Sequence, residues 1–216
     1  AVVPRGQPLP EVDFTVNLPD VPRIIGTTSR TTPPRDVPYL HLPDGVSPHV
    51  FPVDGMLRVG IAWAGRERSR PVPLSAMLPL AAHPGVHLVS LQRGAAAEDL
   101  TTTGAIAFID DMGSQCEDLA DTAAIIAGLD LVVATDCVEA HIAGALGKPV
   151  WVMLPLGNDW RWVDSRDDSV WYPTMRVFRQ GTDGSWTRAV ARAAEAMSAM
   201  AAARPREVTP FRHAQA

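Results

Sequence analysis

From Leu57 to Ala203 this chain keeps returning to one pattern: a short apolar run, a Gly or polar stop, then a stretch with helical spacing. No other feature constrains the fold as much. Strands that are apolar throughout, rather than at alternate positions, are covered on both faces. Helices between them supply the cover, and the result is a parallel α/β sheet with right-handed crossovers.

The expected strands are Leu57–Trp63, ending in Ala64-Gly65, then Val86–Leu91, closed by Gln92-Arg93-Gly94. Ala105–Ile109, Leu131–Ala134, Val150–Leu154 and Met175–Phe178 follow. A first helix is expected over Pro73–Ala82, with Pro73 tolerated in its first turn. A second runs from Asp118 to Gly128, with Leu119, Ala123, Ile125 and Ile126 facing inward. Cys137–Leu146 forms a third, stopped by Gly147, and the Ala-rich Trp186–Ala203 a fourth, ended by Pro205.

The first 55 residues have another texture. Eleven of the 20 prolines lie in the first 52 residues, in segments such as Pro8-Leu-Pro10 and Pro33-Pro34. Proline fixes φ and removes a donor, so this stretch reads as an extended lead-in with one helical turn near Val21–Ile25. The expected organisation is a lead-in over 1–55, a Rossmann-like domain over 56–204 and a frayed tail over 205–216. The chain starts Ala1-Val-Val-Pro4 without Met, which reads as a processed or excised piece.

Bulk properties exclude several classes. A net charge of −5 argues against a nucleic-acid partner, which needs a basic face. No apolar run approaches the ~20 residues of a membrane span, and no signal-peptide pattern is present. The two cysteines, Cys116 and Cys137, form no CxxC or Cys/His cluster, so no zinc site is expected. They read as reduced thiols of a cytoplasmic protein. The GxGxxG fingerprint is absent, so neither NAD nor any other cofactor is indicated.

Open α/β sheets bind ligands at the carboxyl ends of their strands. Three such ends stand out: Trp63-Ala-Gly65, Gln92-Arg93-Gly94, and Thr135-Asp136 ahead of a helix. Asp136 and Glu139 have capping-box spacing, and a helix N-terminus suits a phosphate. His141 lies one turn further on. The same residues also fit a plain capped helix with a half-buried histidine. Arg93 is either a phosphate fork or an ordinary loop arginine. Arg66, Arg68 and Arg70 are either a solvated loop or a diphosphate clamp. Trp160 stays open between stacking on a base or sugar and packing, whereas Trp162 and Trp171 read as packing residues. A thiol at a helix N-terminus has a lowered pKa, so a low value is expected for Cys137, although no third group completes a nucleophilic site.

Taken together, these segments resemble a known family. Asp121–Asp136 and Ala140–Trp151 are similar to the C-terminal domain of heptosyltransferase-like glycosyltransferases, in the bacterial version often fused to tetratricopeptide repeats. Val59–Gly65, Val89–Gly94, Asp159–Trp162 and Asp168–Gln180 match that version too, as do Gly6–Pro10, Gly26–Thr28 and Val37–Leu40 in the lead-in. The resemblance implies a GT-B fold of two Rossmann-like domains, with a nucleotide-diphosphate sugar bound by the C-terminal one and no obligatory metal. It implies donor contacts from Gly65, Arg68, Arg70, Arg93, Asp136, Cys137, Val138 and His141. Arg93 stands where the family usually has lysine. The catalytic base and most acceptor contacts belong to an N-terminal domain that this chain lacks apart from its last stretch, and the acceptor is not indicated. Cys137, Val138 and Glu139 replace the family's Thr, a small residue and an apolar residue, and the loop after Gly65 is shorter. These departures motivate an alternative, a GT-B-like scaffold or interaction module that has lost its donor. A GT-B-like nucleotide-sugar epimerase fits the Trp-rich segment poorly.

Overall fold

The computed structural model describes residues 3–4, 6–28, 36–52, 55–65, 72–164 and 166–203, without the Trp160 side chain. The chain divides into two compact units, Ala1–Pro34 and Arg35–Ala216. In the first, a 3-10 turn at Leu18–Asp20 runs into helix α1, Val21–Ile24, with Pro19 and Pro22 placed where a first turn tolerates them. None of its described residues is buried, and Phe14 and Leu18 are exposed.

The second unit holds six strands: β1 Leu57–Ala62, β2 Val86–Ser90, β3 Asp110–Asp111, β4 Leu131–Ala134, β5 Val150–Leu154 and β6 Met175–Arg179. Its helices are α2 Leu74–Met77, α3 Asp99–Thr102, α4 Leu119–Gly128, α5 Val138–Ala145 and α6 Thr187–Ala202. All neighbouring strands pair in parallel, in the order β3-β2-β1-β4-β5-β6. This is the doubly wound Rossmann-like order, and its direction reverses between β1 and β4. Ile61 pairs with Val133 and Ala62 with Ala134 at that reversal. The expected α/β class holds.

The period of two along each strand sorts side chains into two cores. Val59, Ile61, Leu131, Val133, Trp151 and Met153 face α2 and α6. Ala62, Val132, Ala134, Val150 and Val152 face α4 and α5. The Rossmann face of α4 and α5 also carries the segment 36–52. Tyr39 and Leu40 donate their amides to the Ala145 carbonyl at 3.0 and 3.2 Å, and His49 donates to that of Ala124 at 2.8 Å. The sheet's edges are blunt: β3 has two acidic residues, and the segment before β6 covers it through Val177 N–H to Asp167 O at 2.8 Å and an Asp168–Arg176 bridge.

Three expectations need correction. Residues 105–109 are not a strand. Gly104 turns the chain at φ +74°, a 3-10 helix spans Ala105–Ala107, and Ile109 N–H bonds Ala105 O at 3.0 Å. Ala105 and Ile109 are buried while Ile106 and Phe108 are exposed, a spacing of four rather than two. The strand is the pair Asp110–Asp111 that follows. The helix expected over 73–82 ends at Met77 and continues as a 3-10 turn, Leu78–Ala82, because Pro79 has no amide to offer residue 75. Leu119 opens α4 and is exposed; Thr122, Ile125 and Ile126 are buried, and Ala123 packs partly against the same core. The expected tail, 205–216, lies outside the described residues.

Candidate functional site

The direction of the sheet reverses between β1 and β4, and in open α/β sheets ligands bind outside the carboxyl ends of the strands at such a point. On the β1 side, the buried amide of Gln92 substitutes for a further strand. Its Oε1 accepts from Trp63 N–H at 3.0 Å and Ala64 N–H at 2.9 Å, and its Nε2 donates to the carbonyls of Ala64 and Arg93, each at 3.1 Å. The Trp63 indole donates to Asp99 at 2.9 Å. Gly65 thus follows a backbone held in place at Trp63 and Ala64. Arg66, Arg68 and Arg70 lie outside the described residues.

Arg93 braces the turn ahead of α4. Its guanidinium donates to the carbonyls of Cys116 and Glu117 at 3.1 Å and of Asp118 at 3.3 Å. The capping box in this fold sits there, not at α5. Asp118 accepts from Ala120 N–H at 2.7 Å and Asp121 N–H at 3.0 Å, while Asp121 accepts from Glu117 and Asp118. The Asp-x-x-Asp spacing was legible, but Asp is a less usual third residue than Glu or Gln.

At α5 the expected Asp136–Glu139 capping box does not form. The N-cap is Cys137, at φ −146° and ψ 170°; no side-chain oxygen caps the helix, and only the Cys137 sulfur faces the Glu139 and Ala140 amides. Asp136 is drawn away: its Oδ2 accepts from Trp162 Nε1 at 2.9 Å and its Oδ1 lies 3.4 Å from His141 Nε2. Burial opposes ionisation of Asp136, but the hydrogen bonds from His141 and Trp162 outweigh it and hold the carboxyl below its ordinary range. The Cys137 thiol is also unlike the expectation. Burial pushes it well above the ordinary thiol value, and the adjacent Glu139 carboxylate adds to the effect, so a helix N-terminus does not activate it.

His141 is held on three sides. Nδ1 lies 3.0 Å from the Tyr172 hydroxyl, Nε2 faces Asp136, and the ring stacks on Trp162 at 5.7 Å and 21°. Tyr172 in turn approaches the Tyr39 hydroxyl at 3.5 Å, and burial, then Tyr39, push its phenol upward. The Tyr172 ring lies flat on α5 because residue 144 is glycine; a Cβ there would come within 2.6 Å of the ring. Trp162, only 2% exposed, packs the 155–166 loop as expected. Val163 beside it has φ +38°, a costly conformation for a β-branched residue. One nitrogen of Arg179 holds that turn, donating to the carbonyls of Trp162, Val163 and Arg166 at 2.7, 2.9 and 3.0 Å. Trp171 packs partly against the same core and donates to Arg161 O at 3.1 Å. The Trp160 side chain lies outside the described residues.

The fold therefore brings Asp136, Cys137, Val138 and His141 together at one helix end and places Arg93 at the neighbouring α4 turn. Trp162, Tyr172, Tyr39, Gln92 and Arg179 carry the site without having been singled out for it. Just ahead of α5, Thr135 is fully buried and its Oγ1 has no hydrogen-bond partner among the described residues. A groove of about 320 Å³ lies beside α4, lined by Ser47, His49, Met112, Cys116, Asp121 and Ile125 among others; it shares no residue with the α5 end. Among the described residues no three His, Cys, Asp or Glu side chains converge as metal ligands would, and no helix is long and apolar enough to cross a membrane.

Comparisons with known proteins agree with this architecture. No family model matches the chain. It is 31% identical over 160 residues to Protein FlbA of Caulobacter vibrioides, an alignment covering 67% of this chain and 26% of FlbA. It also superposes on the solved structure of E. coli ADP-heptose LPS heptosyltransferase II, with a TM-score of 0.51 and 17% identity over 68% of this chain and 47% of that one. The chain thus spans about a quarter of FlbA and under half of the heptosyltransferase. The fold is heptosyltransferase-like, a Rossmann-like domain of the kind found in that glycosyltransferase.

Proposed function

We propose that this chain is the donor-binding, C-terminal half of a GT-B glycosyltransferase, which transfers a sugar from a nucleotide-diphosphate donor to an acceptor. One observation carries the reading most directly. At the sheet's reversal the N-terminus of α5 has no side-chain cap, whereas α4 beside it has a complete capping box. The first-turn amides of α5 meet only the Cys137 sulfur, a weak acceptor, and amides with the helix dipole suit a diphosphate. As the anomeric C–O bond breaks, negative charge grows on the departing diphosphate, and amides already fixed in place stabilise it without reorganising.

In this reading Cys137 and Val138 contribute their backbone amides. His141, fixed by Asp136, Tyr172 and Trp162, presents a partly exposed ring beside them; its side chain is 37% exposed. Gly65 lets the ligand approach the β1 end, with Arg68 and Arg70 supplying charge and Arg93 fixing the α4 turn. Donor binding, rather than turnover, is the property assigned to these 216 residues. Because the fold neighbour is named for ADP-heptose, an ADP-linked sugar is the first probe. Calorimetry and amide chemical-shift mapping with ADP-, GDP- and UDP-sugars test the proposal, with shifts expected at Cys137 and Val138. A folded chain that binds none of them at millimolar concentration overturns it.

The buried Glu139 carboxylate favours a second reading, a scaffold or interaction module that no longer takes a donor. Binding that appears only after the combined C137T, V138A and E139V changes identifies that case.

A further inference from the structure

Side chains from separate stretches of the Rossmann-like unit meet in one polar row: Tyr39, Tyr172, His141 and Asp136. The two phenol oxygens are 3.5 Å apart, the Tyr172 hydroxyl lies 3.0 Å from His141 Nδ1, and His141 Nε2 lies 3.4 Å from Asp136 Oδ1. The chemistry of the row fixes which way its protons point. Burial opposes ionisation of Asp136, but His141 and Trp162 hold the carboxyl below its ordinary range, and an ionised carboxylate can only accept. The proton of a neutral His141 therefore sits on Nε2, and Nδ1 is left as an acceptor. Tyr172 fills that lone pair, since burial, then Tyr39, push its phenol upward and keep it a protonated donor. Its oxygen accepts from the Tyr39 hydroxyl. Each group thus donates to the next, from Tyr39 to Asp136, and each bond polarises the one after it.

A proton arriving on a neutral His141 can settle only on Nδ1, which turns that atom from acceptor to donor. Tyr172 must then accept from the imidazolium and aim its own proton at Tyr39, whose hydroxyl proton swings out to solvent; Tyr39 is 43% exposed. The rings are packed, with Trp162 stacked on His141 at 5.7 Å and Tyr172 flat against Gly144, so the hydroxyl rotors are the mobile parts. We infer that His141 is a proton-operated switch whose state is displayed at Tyr39, on the 36–52 segment, by reversal of the two tyrosine hydroxyls. One proton is taken up from solvent, one positive charge appears beside Asp136, and the hydroxyls rotate without losing their protons. Imidazole is the side chain that changes charge between about pH 5 and 8. Other charged or titratable groups around the row are Arg161 of the 155–166 loop, whose charge reaches Asp136 and which pairs with Asp159 at 2.7 Å, and Cys137 and Glu139 at the start of α5. The switch does not depend on donor binding.

The chain has two tyrosines, Tyr39 and Tyr172, so isotope labelling of tyrosine Cζ gives two NMR signals, assigned with Y39F. The test follows them, together with the labelled imidazole nitrogens of His141, in the full chain from about pH 5 to 8. Above its midpoint His141 is expected in the Nε2–H form, and both tyrosine signals are expected to shift with the His141 midpoint. In H141Q both shifts are lost. In Y172F the Tyr39 shift is lost while His141 still titrates. A Tyr39 signal that stays in place while His141 titrates overturns the inference, as does one that moves equally in Y172F. An Nδ1–H form at high pH, or a His141 that does not titrate in this range, overturns it too. Should either variant fail to fold, the wild-type titration decides by itself.

Discussion

At the scale of single residues, the site is built from partners that each fix another. Trp162 bonds Asp136, Asp136 faces His141, and His141 meets Tyr172. Asp136 is the member whose ionisation is coupled to folding. Its carboxyl is held below its ordinary value of 3.8 in the fold, so the stability it contributes is present above that value. That contribution is lost as pH falls from about 3.8 toward the lower folded value. Trp162→Phe removes the indole donor and is expected to lower stability by about 1–2 kcal/mol at pH 7. The loss should shrink as the pH falls through that window, where the unfolded carboxyl is protonated and the folded one still ionised. Urea unfolding of wild type and W162F between pH 3 and 7 checks both the size and the sign. A constant difference across that range would mean that the indole acts by packing alone. The histidine was legible in the sequence as a group near a helix start. Its partners were not, because Trp162 lies 26 residues from Asp136 and Tyr172 lies 31 from His141.

At the scale of elements, two helices that start at the same edge are treated differently. The α4 N-terminus is closed by Asp118 and Asp121, and the α5 N-terminus is left open. Asp118→Ala should therefore cost about 0.5–2 kcal/mol by exposing two amides, while Cys137→Ala removes only a weak sulfur acceptor. Equilibrium urea unfolding of the two variants checks this, and the Cys137 change is read chiefly for its buried side-chain volume. The sequence suggested the opposite assignment, because Asp136 and Glu139 have the nominal spacing. The spacing held no information about Trp162, which competes for the Asp136 carboxylate from another loop. The strand expected at 105–109 failed for a related reason. Five apolar residues fit a buried strand or a turn of helix equally well, and the left-handed Gly104 tipped the chain toward the turn.

At the scale of the whole molecule, residues 36–52 belong physically to the Rossmann-like unit. Their amides pair with the carbonyls of Ala124 and Ala145, the carbonyl of His49 lies against Gly128, and the Phe51 ring meets the Arg58 guanidinium at 5.9 Å. A chain beginning at Asp36 should thus unfold at a higher urea concentration than one beginning at Gly55. Equal midpoints would show that this segment adds nothing to the unit's stability. The amino-acid sequence by itself determined the alternation of strands and helices, and through it a parallel sheet covered on both faces. Apolar runs and their stops encode that information locally. Only the tertiary structure decided where the sheet's direction reverses, which helix end stays open, and what holds His141. Those outcomes depend on contacts between residues far apart in the chain, the longest here joining Tyr39 and Tyr172 across 133 positions, and no local pattern encodes them.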